Sequence, residues 1–429
     1  MKRLAFAAAL AALALAAFAA FTARADNAPA ALGLDDYLGL VGRANLDLAA
    51  QRYNVPIAQA QVTLARTFPE PTLSGGIAGY DIRFSGAPTT FELGISEEIE
   101  LGGKRKNRRI AAEHAAVGAK DDLDDFVRTL RGQAAGAFVD ALAARLVLER
   151  KQRTFDTLTK LVEKNEDSRR AGNIGDLPVI QAKVEADRFR GELLEAAGDV
   201  KVADLALGQL IGTAQAVEPK GDLKIEPRQF SAEQLIAAAK ENRPDVLSAR
   251  AALAAASAKI DLAHSNIAID PTLSLGWTHI TATSSGNYGQ VAPSPADDQL
   301  SLTASIPLPF ARRQFKGELE GAVATRGQAE QQLHAAELKV EVDIKQALAT
   351  YQATIDRLNL YTSGILTNAD KVLEETTYNF TRGSGTQLEV LDATRTVDEV
   401  YLDYYQALAD HAHALIAVEQ AAGIWDVKL

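Results

Sequence analysis

The chain has 429 residues, no cysteine, six histidines and a formal net charge of −11 at pH 7. Because it lacks cysteine, it can form neither a disulfide framework nor a thiolate nucleophile or ligand, and a soft-metal site is not expected. The acidic surplus disfavours nucleic-acid binding, which relies on Lys and Arg to neutralise phosphates.

Residues 1–25 have the three parts of a secretory signal peptide. Basic residues at positions 2 and 3 precede an apolar run over 4–21, and the triplet 23–25 (Ala-Arg-Ala) fits the cleavage motif. We therefore expect export to a cell envelope and a mature chain of net charge −14. No cysteine follows the cut, so lipid attachment there is not expected. An uncleaved membrane anchor is the alternative, because the apolar run is long for a signal peptide.

The first repeat, 26–212, contains both strand and helix patterns. In its second strand-like segment Leu93 and Ile95 fall on one face while Glu92 and Ser96 fall on the other, which suits a strand with one apolar and one wet face. A helical pattern of about 65 residues follows; its length of roughly 100 Å implies helices packed side by side as coiled coils. The predicted elements are a helix at about 34–68, two strands within about 71–101, a long helix at about 104–168, a tip, and a helix at about 176–212.

A second repeat, 231–429, follows a Pro-containing connector at 213–230. The segment beginning at Asp270 (DPTLS) matches the one beginning at Glu70 (EPTLS) at an offset of 200, the strand pattern recurs at 207, and the glycine tip recurs at 211. The rising offset indicates insertions in the second copy. The predicted elements are a helix at about 231–268, two strands within about 271–308, a long helix at about 312–380, a tip, and a helix at about 386–423.

Membrane insertion of the mature chain would have to use the strands, since no apolar run after residue 26 is long enough for a spanning helix. Four strands cannot close a barrel, for which about eight are the practical minimum. Unpaired strand edges in lipid cost several kcal/mol per group. Three chains would supply twelve strands, and the same threefold operation would group their helices into a tube.

The repeat, the signal peptide and two motifs together resemble the TolC-type outer-membrane efflux proteins. The motifs are 383–394 (GSGTQLEVLDAT) and 99–105 (IELGGKR), the second being most similar to the heavy-metal subgroup of cobalt-zinc-cadmium and copper exporters. The resemblance implies an α+β membrane protein, a homotrimer whose twelve strands form one outer-membrane β-barrel continued by a long periplasmic α-helical coiled-coil barrel.

The resemblance also implies a passive exit duct of a tripartite efflux pump. Its partners would be a periplasmic adaptor (membrane fusion) protein and a proton-driven inner-membrane transporter of the resistance-nodulation-division type. The substrate expected from the subgroup is a heavy-metal cation, and drug or organic-solvent efflux or type I secretion through the same fold is the alternative. No catalytic residue, resident metal or cofactor is expected.

Glu389 and Asp392 are the candidate gate residues. They are three apart on a predicted helix and share a face. In the family, acidic residues at these places line the periplasmic aperture, where threefold symmetry would make two carboxylate rings that attract cations. The structural alternatives are a capping box between Thr386 and Glu389, and a favourable helix-dipole position for Asp392.

In each repeat the long helix, the tip and the helix after it are expected to form a helical hairpin. Comparison of the two repeats predicts that only the second hairpin carries these acids. Its equivalents of Glu389 and Asp392 are Pro178 and Gln181. The family's basic aperture residue would fall at Gly385, so a salt bridge that holds the aperture closed there is absent or built differently.

The two tips are the candidate adaptor-docking regions. Glycine satisfies a tight turn without any partner, so turn chemistry is the alternative explanation for these residues. The predicted docking residues are Gly172, Asn173 and Leu177 of the first tip and Gly383, Ser384 and Leu388 of the second.

A dense basic run stands between the first strand pair and the long helix that follows it. Its cations are Lys104, Arg105, Lys106, Arg108 and Arg109. Because the chain is acidic and carries an export signal, a solvated or lipid-headgroup-facing ring explains the run better than nucleic-acid binding.

Two functions of other classes compete with the duct. A periplasmic hydrolase could use Glu389 and Asp392 as acid and base, but two side chains on one exposed helix form no cleft, and no nucleophile accompanies them. A coiled-coil scaffold would leave the amphipathic strands and the repeat unexplained.

Overall fold

The computed structural model describes residues 31–78, 89–282, 295–308 and 312–426. The predicted signal peptide, 1–25, lies outside the described residues. Among the described helices, none has the combination of length and apolar character that crossing a bilayer requires.

The first half of the chain contains one helix that is far longer than those of ordinary globular domains. This helix, α4, spans 67 residues without interruption. In chain order the elements are α1 (Leu34–Ala44), α2 (Leu46–Gln51), α3 (Asn54–Ala65), β1 (Thr72–Ala78), β2 (Thr90–Glu98), α4 (Lys104–Arg170) and α5 (Asp176–Leu210).

The second half repeats this order, but its long helix is interrupted. A π-helical segment, Tyr361–Ile365, separates α8 from α9. The hydroxyl of Thr362 donates to the carbonyl of Leu358 at 3.1 Å, and such back-bonding, next to Gly364, weakens regular α-helical geometry. The elements are α6 (Ala232–Asn242), α7 (Pro244–Ser265), β3 (Thr272–Ile280), β4 (Asp297–Ser305), α8 (Arg312–Leu360), α9 (Leu366–Thr381) and α10 (Gln387–Ala422).

The four strands form one antiparallel sheet in the order β1-β2-β3-β4. Its register aligns residues of like character: Leu73, Ile95, Leu275 and Leu302 form one apolar row across all four strands. The adjacent positions on the strands form a polar row of Thr72, Ser96, Ser274 and Thr303. Since successive side chains of a strand point to opposite faces, the sheet has one apolar and one polar face.

The apolar face of the sheet is exposed in the part of the chain that the structure describes. Leu73 is 75% exposed and Leu302 is 72% exposed, and the apolar residues of β2 and β3 are also exposed. Exposed apolar patches of this kind mark a surface that contacts another protein or a membrane.

The described residues divide into two compact units, each built from both halves of the chain. The helical unit comprises residues up to Gln51, Asp124–Arg243 and the chain from Leu338 onward. The sheet unit comprises Arg52–Leu123 and Pro244–Glu337.

The core of the helical unit joins α1 to α4 and α5, the two helices that form the first helical hairpin, as α9 and α10 form the second. Tyr37 of α1 is fully buried against Phe138 of α4, with the ring centroids 5.5 Å apart. Its hydroxyl donates to the carbonyl of Leu207 of α5 at 3.3 Å. Burial raises the pKa of this hydroxyl well above its ordinary value, so Tyr37 stays neutral and serves as a packing residue with one satisfied donor.

Candidate functional site

The two predicted docking tips have the same backbone construction. Gly172 and Gly383 follow α4 and α9 in the left-handed conformation, with φ of 78° and 76°. The amide of Asn173 donates to the carbonyl of Ser168 at 2.9 Å, and the amide of Ser384 donates to the carbonyl of Asn379 at 3.0 Å. This is the Schellman pattern, in which glycine lets the chain reverse while the last carbonyls stay bonded.

Each tip presents one large apolar side chain to solvent. Leu177 is 65% exposed and Leu388 is 71% exposed, and the two residues are equivalent in the repeat. Gly172, Asn173, Gly383 and Ser384 are exposed as well. Turn chemistry accounts for the glycines, whereas it does not account for two exposed leucines.

Glu389 takes part in the capping box that begins α10. Its carboxylate accepts a hydrogen bond from the backbone amide of Thr386 at 2.8 Å, and its own amide donates to the Thr386 hydroxyl at 3.3 Å. Two amides that the helix itself cannot satisfy are thereby paired. Glu389 thus has a structural role whatever its role at an aperture.

Asp392 lies on the same exposed side of α10 as Glu389, whereas Val390 and Leu391 between them are buried. The buried pair belongs to a core formed by α4, α5 and α10. That packing fixes the rotation of α10, so both carboxylates face away from the core.

A side chain at Gly385, where the resemblance places a basic residue, would be crowded as the tip is folded. A Cβ atom added there would lie 3.0 Å from the backbone nitrogen of Phe380 and 3.2 Å from the Asn379 side chain. The backbone at Asn379 and Phe380 would have to move by a few tenths of an ångström to accept an arginine at 385.

The tip of the second hairpin is fastened to the first hairpin by Gln387. Its side-chain amide donates to the carbonyl of Pro178 at 2.9 Å, and its side-chain oxygen accepts from Asn165 at 3.1 Å. Gln387 was not predicted as a site residue from the sequence. Its position directly after the N-cap residue Thr386 is the one feature of the sequence that indicates a side chain close to the neighbouring hairpin.

A family model named outer membrane efflux protein matches residues 40–213 and 235–424, which together make up most of the chain. The chain belongs to the outer membrane efflux protein family. Members of this family are efflux channels, so neither Glu389 nor Asp392 is a catalytic residue and the hydrolase alternative is excluded.

Among similar curated efflux proteins is the cobalt-zinc-cadmium resistance protein CzcC of Cupriavidus metallidurans. It is 26% identical over 92% of this chain and 91% of its own length. The pyoverdine export outer membrane protein OpmQ of Pseudomonas putida is 24% identical over 91% of this chain and 85% of its own length. The similarity to CzcC bears out the predicted resemblance to the heavy-metal subgroup.

Solved structures of outer-membrane channels share the fold. The structure of CusC matches with a TM-score of 0.75 at 19% identity, covering 92% of each chain. The predicted fold class is therefore right in its coarse form: this efflux protein is mostly helical, carries a four-stranded sheet and has the fold of the TolC-type channels.

Arg395 and Glu185 form an ion pair that joins α10 of this efflux protein to α5, about one turn beyond Asp392. The Arg395 guanidinium donates to Glu185 through Nε at 2.7 Å and through Nη2 at 2.5 Å. The hydrogen bond from Arg395 lowers the pKa of Glu185, against the opposing effect of burial. The pKa of Arg395 is raised chiefly by the same hydrogen bond and to a lesser extent by the charge of Asp392.

A second polar cluster lies further along the same helices. Asp398 accepts hydrogen bonds from Lys151 Nζ at 2.7 Å and from the Thr154 hydroxyl at 2.6 Å, and Arg150 Nε lies 3.4 Å away. Burial lowers the pKa of Lys151, but its hydrogen bonds to Asp398 and Glu192 outweigh that effect and raise it. Both clusters hold α10 against the first hairpin, and neither was predicted from the sequence.

Within the described residues, no group of three or more histidine or carboxylate side chains is placed to hold a metal ion. His413 lies 2.7 Å from Asp140, and His279 lies 2.9 Å from Asp298. These are isolated pairs on the helices and the sheet respectively.

Proposed function

We propose that three copies of this efflux protein close their sheets into one twelve-stranded barrel in the outer membrane, and that their helices supply the periplasmic part of a passive exit duct. The observation that carries the proposal is the sheet itself. It has an exposed apolar face and a polar face, and β1 and β4 are its edges. A lipid-embedded sheet must close, and twelve strands clear the minimum that four cannot reach.

Glu389 and Asp392 form the periplasmic gate in this proposal. Both are exposed on one side of α10, and the core packing of Val390 and Leu391 holds that side in a fixed direction. Three copies bring six carboxylates to the aperture, and rings of carboxylates attract cations and repel anions. The cap role of Glu389 is compatible with this, since one carboxylate oxygen bonds Thr386 while the charge remains.

The tips dock the periplasmic adaptor, which links the duct to a proton-driven inner-membrane transporter. The exposed leucines Leu177 and Leu388 support this role, because each repeat offers the same apolar anchor beside the same glycine turn. Gly172, Asn173, Gly383 and Ser384 complete the docking surface. The exported chain, freed of residues 1–25, carries no lipid at its N-terminus.

The substrate that fits the acidic gate best is a heavy-metal cation. The name of the relative CzcC, a cobalt-zinc-cadmium resistance protein, supports this choice. A second candidate is a small organic export substrate, because OpmQ, whose name assigns it to pyoverdine export, is similar over nearly as much of the chain.

Conductance in planar bilayers tests the duct and the gate together. We compare the wild type with the double variant Glu389→Gln plus Asp392→Asn, which removes charge but keeps a side chain able to complete the capping box. The wild type should insert as a trimer with small, cation-preferring conductance. The double variant should lose most of the cation preference, since the fixed charge is gone.

Thr386→Ala is the matched control, because it weakens the helix cap and leaves both charges in place. Ion selectivity should therefore stay at the wild-type value in this variant. If it falls as in the double variant, fraying of the helix explains the effect and the gate assignment is wrong. If the purified wild type is monomeric and does not conduct, the duct itself is wrong.

Growth assays separate the two substrate classes. A strain lacking this protein should become sensitive to divalent heavy-metal salts and keep its resistance to organic drugs. The reverse pattern would favour the organic substrate.

A further inference from the structure

Part of the basic run lines a cavity of about 420 Å³ in the sheet unit. We call it the basic cup and define it by the side chains of Arg66, Phe68, Arg105, Lys106 and Arg109. Arg66 and Phe68 follow α3, whereas the other three stand in the first turns of α4. Segments about 40 residues apart in sequence therefore meet around one opening.

The cup has more positive charge than its own carboxylates neutralise. Arg66 and Arg109 share a single carboxylate, Glu113, at 2.9 and 3.6 Å. The Arg105 guanidinium lies over the Phe68 ring, 3.6 Å from its centroid, and this contact leaves the charge uncompensated. In the part of the chain that the structure describes, Lys106 has no ion pair.

The two other cations of the run are paired, and one of them, Lys104, also lines the cavity, as does the carboxylate of Glu100. Lys104 pairs with Asp270, and Arg108 pairs with Glu100 at 2.7 Å. They hold the start of α4 to neighbouring segments. The basic run thus divides into two cations that pair with carboxylates outside α4 and three that do not, a division that sequence alone does not reveal.

The cup adjoins the apolar surface of the sheet. After β2, the chain exposes Ile99 and Leu101 before it enters α4, and Phe68 on the other wall of the cup is 63% exposed. Leu101 lies three residues after the end of β2 and three before the start of α4. At about 3.3 Å per extended residue it is therefore close to both the apolar face and the cup. Apolar contact and positive charge are thus adjacent, which is the arrangement that an amphiphile with an anionic head requires.

We infer that the basic cup binds the phosphate headgroup of an anionic phospholipid in the periplasm-facing leaflet, with the acyl chains against the apolar side chains beside it. The inference rests on the proposed membrane location of the sheet. Guanidinium and ammonium groups match phosphate oxygens, and Phe68 favours a lipid over free phosphate.

The second repeat provides a matched comparison. At the offset of 200 it has Asn266 and Ala268 in place of Arg66 and Phe68, although Arg313 and Lys316 maintain the basic character of the helix start. The second copy therefore has cations without the walls of a cup. A general charge effect would involve both copies, whereas a built site would involve only the first.

The test is lipid binding by the purified mature protein in detergent, measured by native mass spectrometry with phosphatidylglycerol, phosphatidylcholine and inorganic phosphate as probes. The cup variant is Arg105→Gln plus Lys106→Gln, and the control is Arg313→Gln plus Lys316→Gln. The wild type should prefer phosphatidylglycerol, and excess inorganic phosphate should not displace it. The cup variant should bind it roughly 25-fold more weakly, since each Lys or Arg near an anionic lipid contributes about fivefold.

The control should stay within about threefold of the wild type. Equal losses in both variants would mean a diffuse charge effect and would overturn the site, as would equal binding of the two lipids or displacement by phosphate. If the cup variant no longer forms the wild-type oligomer but still binds phosphatidylglycerol, the cup contacts a second copy of the chain and the lipid site is wrong. Circular dichroism checks that the variants fold.

Bilayer conductance of the same variants keeps this inference separate from the duct. Both variants should conduct as the wild type does, because the cup is outside the proposed gate. A wild type that fails to conduct refutes the duct, while the mass spectra in detergent still report on the cup.

Discussion

Asp398→Asn should loosen the attachment of α10 to the first hairpin. The Asp398 side chain is 3% exposed and contacts Lys151, Thr154 and Arg150. The substitution keeps the shape and removes the charge, so two largely buried cations lose a carboxylate. Breaking a buried ion pair costs about 3–5 kcal/mol. Because Lys151 keeps Glu192 at 2.6 Å, we expect about 2–4 kcal/mol.

Hydrogen exchange followed by mass spectrometry measures this local effect. Amides of α4 around Thr154 and of α10 around Asp398 should exchange roughly 30- to 700-fold faster, since each 1.4 kcal/mol is about a factor of ten. The control is Arg153→Met, which breaks an exposed pair with Glu149 on the same helix. Exposed pairs contribute about 0.2–1 kcal/mol, so its exchange should rise less than about fivefold.

The double variant Asp398→Asn plus Lys151→Met gives the decisive comparison. Lys151→Met removes one of the two buried cations that Asp398→Asn leaves without this carboxylate, so the double variant should exchange more slowly than Asp398→Asn alone. If Asp398→Asn behaves like Arg153→Met, the carboxylate does not hold α10 and the reasoning is wrong.

Three further predictions concern the tip and the buried titratable groups. Gly383→Ala should lower the free energy of unfolding by about 1–2 kcal/mol, because the φ of Gly383 is 76°. Gly191→Ala, in the interior of α5, should raise it by about 0.5–1 kcal/mol. Thermal melting compares the two variants, and equal shifts of the melting temperature would contradict the backbone argument. The hydrogen bond from Arg395 lowers the pKa of Glu185, so the ion pair stabilises the fold above about pH 4.5 and this contribution is lost as the pH falls below that value. Glu185→Gln should flatten the fall of the melting temperature below pH 4.5, and an unchanged slope would contradict the prediction. Burial lowers the pKa of His411 from 6.5, so the neutral ring stabilises the fold above that pH and the contribution is lost as the pH falls; His411→Phe should remove the decline, measured by melting across that range.

Sequence patterns were sufficient wherever the physical cause is local. The alternation of Leu93 and Ile95 with Glu92 and Ser96 predicted a strand with two unlike faces, and the four-stranded sheet has them. The capping box was readable because Thr386 and Glu389 are three apart, the spacing at which each side chain reaches the other's amide. In both cases the partners are neighbours along the chain.

The contacts that hold the tip together could not be predicted in this way. Glu185 and Arg395 are 210 positions apart, and Gln387 is 209 positions from Pro178. Periodicity identifies which face of a helix is apolar, but not which charge on one helix meets which charge on another. The residues that the sequence patterns did not predict are therefore the polar links between helices, and these links attach α10 to α4 and α5.

The π-helical segment has a consequence for the two hairpins when their lengths are compared. The repeat offset rises from 207 near Arg312 to 211 at Gly383, so the long helix of the second copy has gained four residues. At 3.6 residues per turn, four residues advance the helix by about 400°, which is about 40° more than one full turn. An insertion of four is a stutter, and the π-helical turn at Tyr361–Ile365 rotates less per residue than an α-helical turn, which is the direction that offsets the excess. The longer helix contacts α10 on both sides of the segment, through Thr354 and Arg357 before it and through Asp370 after it.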